Sequence, residues 1–292
     1  MSKFYRRAWQ VCFRVTDGSD GLPTTGQPFV NVPNPSWGWA ADPFLFERDG
    51  RLYLFAELFS YLEQRGSIGY CVFQNGRFGR WKKVIDEPFH LSYANIFEQD
   101  GEIWICPESF TEKKVYLYRA VDFPDRWERA DVIAEGLPLS DTTFYRSGGR
   151  TYGFTFNHLA RPVELLLFEM KEGKAAFAPA SVSTDNTLAR PGGNILHTSE
   201  GDIRVGQNCD GLYGKGLAFC RMALDFPHYS ETLLARWSPE DIRLQRCPRD
   251  LRGLHTFNRL GRYEVIDIQY FETHPLDVLG RVLTAVRRRL SR

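Results

Sequence analysis

Cysteine is present but unorganised: Cys12, Cys71, Cys106, Cys209, Cys220 and Cys247 include no CxxC pair and share no spacing. That excludes the usual zinc and disulfide-framework patterns and leaves buried free thiols as the expectation. Charge of one sign is also lacking. The formal net charge is +1 over 292 residues, and Arg281, Arg287, Arg288, Arg289 and Arg292 crowd the C-terminus, so the remaining body carries about −4. A nucleic-acid polymer is thereby excluded as a partner of that body. The opening stretch MSKFYRRAWQVCFRV holds no long apolar run and no small-residue cleavage site. No secretory signal is expected, and a cytoplasmic location follows. Gly-rich phosphate loops, HExxH, GxSxG and DxD-like patterns are missing as well, so neither a cofactor nor a metal is expected.

What the chain does have is aromatic residues at 14%, with 25 glycines and 16 prolines, a composition of many short strands separated by turns. One unit recurs five times: an apolar strand, a tight turn with Gly, and a second strand. The copies are DPFLFERDGRLYLFAE from Asp42, YANIFEQDGEIWICPE from Tyr93, DTTFYRSGGRTYGFTF from Asp141, GNILHTSEGDIRVGQN from Gly193 and GLHTFNRLGRYEVIDI from Gly253. Their turn glycines, Gly50, Gly101, Gly149, Gly201 and Gly261, lie roughly 50 to 60 residues apart, a period suited to four-stranded propeller blades. The expectation is an all-β chain, a five-bladed β-propeller over residues 1–275. The segments IGYCVF, VYLYRA, ELLLFEM and LAFCRM supply third strands, and FYRRAWQVCFRV completes the last blade and closes the ring.

Registering the copies on their turns also predicts a site. Asp42 and Asp141 lie eight residues before their glycines, and Glu57 and Glu108 lie seven after theirs. An antiparallel hairpin returns the second pair to the end where the first strand began, so four carboxylates converge on one rim. Two carboxylates flanking a glycosidic bond are the usual apparatus of glycosyl transfer to water or to another sugar, and a third raises the pKa of the acid by like-charge repulsion. The bland alternative for any one Asp is a turn cap at a strand start.

WGWAADPFLFERDGRLYLFAE resembles the first blade of glycoside hydrolase family 43 and its relatives in families 32 and 68. That resemblance implies a five-bladed propeller with Asp42 as base or nucleophile and Asp141 as the third-blade Asp. Where family 43 places its general-acid Glu in the fourth blade, this chain has RPGG and RVGQNCDGLYG, and Glu108 in ICPES is taken as the substitute. Residues 37 to 270 are more closely similar to the N-terminal domain of the glucosamine inositolphosphorylceramide transferases, through WGWAADPF, LSYANIF, CPES, FPDRW, SDTTF, RPGG, RVGQNCDGLYG and GLHTFN. Transferases of that group carry a separate catalytic domain.

Other polar residues have two readings each. Arg190 and Arg204 offer bidentate pairing to a phosphate or uronic carboxylate, or else neutralise the nearby acids. Gln207, Asn208 and Tyr213 suit sugar hydroxyls or buried strand ends. His255 orients a substrate or lines the channel. Trp39, with Trp37, forms a platform for a sugar ring or packs between blades. From Leu276 the residues Leu279, Val282, Leu283, Val286 and Leu290 form a helical stripe edged by arginines. Residues 276–292 therefore read as a basic amphipathic helix that either lies on an anionic membrane or docks on the propeller.

These features favour a glycosyltransferase of glycan or glycolipid assembly at the cytoplasmic membrane face. Asp42 would be nucleophile or base and Glu108 acid or acid/base, with Asp141 orienting the substrate or tuning the acid; Glu57 contacts substrate. Its partners would be an activated sugar donor, nucleotide- or lipid-linked, and a glycan acceptor. The alternatives are an intracellular glycosidase of the family 43 type and a non-catalytic sugar-binding propeller.

Overall fold

The Gly-containing turns close hairpins as the repeat predicts. In Asp49–Gly50 and Asp100–Gly101 both residues take positive φ, 51° and 68° in one and 54° and 81° in the other, the two-residue geometry whose twist matches the flanking strands. Register pairs Arg48 with Arg51, Gln99 with Glu102, Ser147 with Arg150 and Leu260 with Tyr263. The protein is described from a computed structural model over residues 6–290. Phe4 and Tyr5 of the closing segment and Arg292 of the basic terminus lie outside the described residues.

Five antiparallel sheets form the ring. Blade I runs Gly38–Arg48, Arg51–Ser60 and Arg65–Gln74, with the short pieces Arg77–Phe78 and Lys82–Ile85 outermost. Blade II runs Ser92–Gln99, Glu102–Glu108, Lys114–Asp122 and Arg126–Glu135. Blade III runs Leu139–Ser147, Arg150–Asn157, Glu164–Lys171 and Lys174–Phe177. Blade V takes its inner strands, Phe257–Leu260 and Tyr263–Glu272, from one end of the chain and its outer strands, Arg6–Val15 and Val30–Asn31, from the other. The closing pair is in register over ten residues, from Arg6 opposite Glu272 to Val15 opposite Tyr263. Each predicted third strand is found in its place.

Blade IV departs from the repeat. Its second to fourth strands, Ile203–Asn208, Gly216–Asp225 and His228–Trp237, are regular, but the innermost strand shrinks to Arg190–Pro191 plus an isolated bridge from Leu196 to Ile203. Pro191 has no N–H to donate, and Gly193 sits at φ 145°, a conformation that interrupts a ladder.

Each blade-to-blade seam has its own apolar core. Phe44, Phe55, Tyr93 and Tyr116 fill the seam of blades I and II. Cys106, Leu117 and Phe168 fill that of II and III, Tyr145, Phe154 and Met222 that of III and IV, Phe219, Trp237 and Phe257 that of IV and V, and Val11, Leu54 and Val265 that of V and I. Four cysteines are buried free thiols, Cys12, Cys71 and Cys106 of them within these cores; Cys209 is half-buried and Cys247 exposed. The helix Pro275–Leu290 follows the last strand.

Candidate functional site

At the start of the innermost strands of blades I, II and III the ladder is broken by the same irregularity, between Ala41 and Phe44, Ser92 and Asn95, and Ser140 and Thr143. Asp42, Tyr93 and Asp141 sit there in the left-handed region, at φ 51°, 47° and 51°. A bulge of this kind re-aims a side chain, and Asp tolerates the conformation better than other residues with a side chain. Tyr93 does not share that tolerance. Its buried hydroxyl is fixed 2.7 Å from Thr143 Oγ1 and accepts the Gly193 N–H at 2.7 Å, tying blade II to blades III and IV. Glu57 stands opposite Ala41 and Glu108 opposite Ser92, so the four carboxylates share one end of the ring as expected.

Two buried clusters result. In the first, the Thr256 hydroxyl donates to Asp42 Oδ1 at 2.9 Å and the Tyr93 N–H to Oδ2 at 3.2 Å. His255 Nε2 stands 3.7 Å from Asp42 Oδ1, and its Nδ1 is 2.7 Å from Asp267 Oδ2. Asp267 also accepts the backbone N–H groups of Asp42, His255 and Thr256. Trp9 stacks on the imidazole at 3.8 Å. Burial pushes Asp42 up to about 6, with His255 opposing it. His255 is raised because Asp267 and Asp42 outweigh its own burial. Asp42, His255 and Asp267 each place a potential ligand atom within 4.8 Å of the others. The four carboxylate oxygens and His255 Nδ1 are already matched by the donors and acceptors just named, and Nε2 faces Asp42 at ion-pair distance.

In the second cluster Arg190 is the hub. Its Nε donates to Asp141 Oδ2 at 2.5 Å, and its Nη2 lies 3.4 Å from Glu108 Oε2. Gln207 Nε2 gives Asp141 Oδ2 a further bond at 2.8 Å. The guanidinium lies under Tyr213, 4.8 Å from the ring centroid. Burial, then the Asp141 charge, hold Glu108 well above the usual carboxylate range. Glu57 is raised in the same direction, by burial and by Asp42. One of its oxygens has no hydrogen-bond partner, and His90 Nε2 stands 3.5 Å away, its own pKa pushed down to about 4 by burial. Beyond Arg190 and Tyr213 opens a pocket of about 520 Å³ lined also by Phe156, His158, Asn186 and Cys209.

Three predicted residues lie elsewhere. Arg204 is buried, but its guanidinium pairs with Glu231 at 2.7 Å and bonds Tyr229 and the Leu188 carbonyl. It is three residues from Gln207 on one strand and so faces the other side of the blade; it neutralises an acid of blade IV, away from the funnel. Asn208 is half-buried and caps a turn through the Asp210 N–H. Trp39 stacks on Phe59 at 4.5 Å and lines a separate pocket of about 450 Å³ with Arg6, Arg7 and His274, while Trp37 faces the outer seam of blades V and I. Sequence reasoning missed Thr256, Trp9 and Tyr93. Tyr93 carried a signal, because it lies eight residues before Gly101 as Asp42 does before Gly50.

By fold the chain is a five-bladed propeller of the kind that also builds arabinofuranosidases. A catalytic domain from Coprinopsis cinerea, a family 62 α-L-arabinofuranosidase, superposes with a TM-score of 0.61 at 11% identity, over 86% of this chain and 98% of that one. An α-L-arabinofuranosidase from Podospora anserina gives 0.56 at 10% identity, over 89% and 97%. By sequence the chain belongs to the family described as glucosamine inositolphosphorylceramide transferase 1, N-terminal, whose pattern matches residues 25–236. Full-length relatives of that name are 28% identical over 274 residues in Oryza sativa subsp. indica and 31% identical over 199 residues in Arabidopsis thaliana. The matches cover 87% and 64% of this chain but only 35% and 26% of those proteins, so it spans about a third of their length.

Proposed function

We propose that the propeller is a carbohydrate-active enzyme that transfers a glycosyl group from an activated donor, nucleotide- or lipid-linked, to a glycan acceptor. The observation that carries this reading is the pairing of two carboxyl groups with opposite tasks. Asp42, with a pKa of about 6 and His255 beside it, is an ionised base or nucleophile at neutral pH. Glu108, held well above the usual carboxylate range by burial and by Asp141, is the partner suited to donate to a leaving oxygen. Asp141 positions that acid and the Arg190 guanidinium. Relatives named as transferases support transfer over hydrolysis, whereas the fold alone is equally consistent with a glycosidase.

One observation favours a second reading, a propeller that only binds sugar: Asp42, Glu57, Glu108 and Asp141 are all at most 7% exposed, and Arg190 occupies the space between Glu108 and Asp141. Turnover distinguishes the two. The purified chain is assayed against nucleotide-activated sugars with glycan and glycolipid acceptors, and against aryl glycosides. Asn accepts left-handed φ as Asp does, so Asp42→Asn keeps the bulge; its turnover should fall by about 10³-fold or more, with the melting temperature nearly unchanged. In the wild type the rate should decline as pH drops through about 6, where Asp42 takes up a proton. Sugar binding without turnover of any donor, lost equally in Asp42→Asn and Asp141→Asn, would establish the binding module instead.

A further inference from the structure

The C-terminal helix is docked by the wrong face for a helix of a water-soluble core. Its buried residues are Asp277 and Gly280. Gln64 Nε2 bonds Asp277 Oδ1 at 2.8 Å, and Arg281 Nε lies 3.1 Å from Asp277 Oδ2. Gly280 lies against the Tyr61 carbonyl so closely that any side chain there would overlap it. His274, just before the helix, stacks on Tyr61 at 4.3 Å. At 100° per residue, Asp277, Gly280, Arg281 and Thr284 form the docked face, and Leu279, Leu283, Val286 and Leu290 lie on nearly the opposite one. These four and Val282 are between 40% and 83% exposed. An amphipathic helix in water packs by its apolar stripe; here the polar and glycine face packs and the stripe is turned outward.

The place of docking fixes a direction. Tyr61 and Gln64 belong to the loop that follows Arg51–Ser60, the strand that returns Glu57 to the carboxylate end of the ring, with Gly38 opposite Ser60. The helix follows Tyr263–Glu272, which ends on the same rim. The outward stripe therefore lies beside the funnel mouth, and the Asp49–Gly50 and Asp100–Gly101 turns lie at the other end.

We propose that this helix seats the propeller on an anionic bilayer with the carboxylate mouth facing the lipid. The stripe is edged by Arg287 on one side and Arg289 on the other, with Arg288 behind, the layout of a helix lying in the plane of an acidic interface. Charge complementarity favours lipid over a second copy of the chain, because acidic headgroups supply the counter-charge to Arg287, Arg288 and Arg289 that an identical arginine-edged stripe lacks. Arg6 and Arg7, exposed on the same rim, add to the positive field. The orientation holds whether the funnel transfers sugar or only binds it. On the transfer reading it presents lipid-linked saccharides headgroup first to Arg190 and Asp42.

The test uses the full chain and vesicles of phosphatidylcholine alone or with 30% phosphatidylglycerol. Binding is expected to the anionic vesicles and to weaken with salt. Substituting Arg287, Arg288 and Arg289 together by Gln should weaken it roughly 100-fold, and Leu283→Asp with Val286→Asp, both already solvent-facing, should abolish it without changing the melting temperature. Amide hydrogen exchange reads the orientation: on vesicles, 275–290 and the 60–65 loop should slow while the turns at 49–50 and 100–101 stay unchanged. Equal slowing at both ends of the ring overturns the orientation. No binding to anionic vesicles, or a lipid-free dimer dissolved by Leu283→Asp, overturns the proposal and makes the stripe a protein interface. Each of these results is independent of whether any sugar is turned over.

Discussion

Glu57 is the residue whose environment is least reconciled with a charge. It is buried, one oxygen has no partner, and its nearest titratable neighbour, His90, is neutral because burial holds it down to about 4. The fold therefore favours the acid form, raised by burial and by Asp42. Because the folded-state pKa is the higher one, the associated stability is full below the ordinary carboxyl range, about 4.3, and is lost as pH rises from there toward the folded value. Glu57→Gln keeps the shape and cannot ionise. Melting curves of the two proteins should nearly coincide at pH 4 and separate as pH rises, with the variant the more stable at pH 8; parallel curves would mean that Glu57 is charged in the fold. Arg190 presents the opposite case, a buried cation with two acids. Arg190→Met should cost roughly 3–5 kcal/mol in urea unfolding, because Asp141 loses its closest counter-charge; a loss below 1 kcal/mol would mean that the pair is not desolvated.

At the scale of the element, the bulge is the recurring device, and blade IV carries it differently. Where blades I, II and III place Asp42, Tyr93 and Asp141, it has Gly193 at φ 145°, against the Phe257 carbonyl. Gly193→Ala adds both backbone strain and overlap and should lower stability by about 2–3 kcal/mol; urea unfolding within 0.5 kcal/mol of wild type would show that the strands can move apart. The hairpins were legible in sequence because Asp-Gly and Gly-Gly impose turn geometry locally. So was the site's acidic half, because Asp42, Asp141, Glu57 and Glu108 keep constant offsets from those turns. In the other half His255 was legible as a candidate, but its partner Thr256 was obscured by a one-residue offset: Gly261 directly follows Leu260, whereas Gly50 is the second turn residue after Arg48. Arg204 was assigned to the funnel because residue type was weighed without strand alternation. The helix stripe was visible, but its docked face was not, since Gly280 reveals its purpose only beside the Tyr61 carbonyl.

At the scale of the whole molecule, the site exists only once the ring is complete. Asp42 in blade I is bonded by Thr256 in blade V and by Tyr93 in blade II, and Asn258 of blade V donates to the Pro43 carbonyl in blade I. The seam that brings them together is Arg6–Val15 against Tyr263–Glu272, partners about 250 residues apart in sequence. Its ten-residue register has a consequence for biosynthesis. While the chain is being made, the first long strand has only its two-residue pairing with Val30–Asn31 until Tyr263–Glu272 has been added, so one side of it remains an adhesive edge until then. A product ending before Phe257 should accumulate as aggregates, and the same truncation supplied with a synthetic peptide of residues 257–272 should regain soluble material on a sizing column. The closure of the ring and the assembly of the Asp42–Thr256–Asp267 network thus depend on the same long-range pairing.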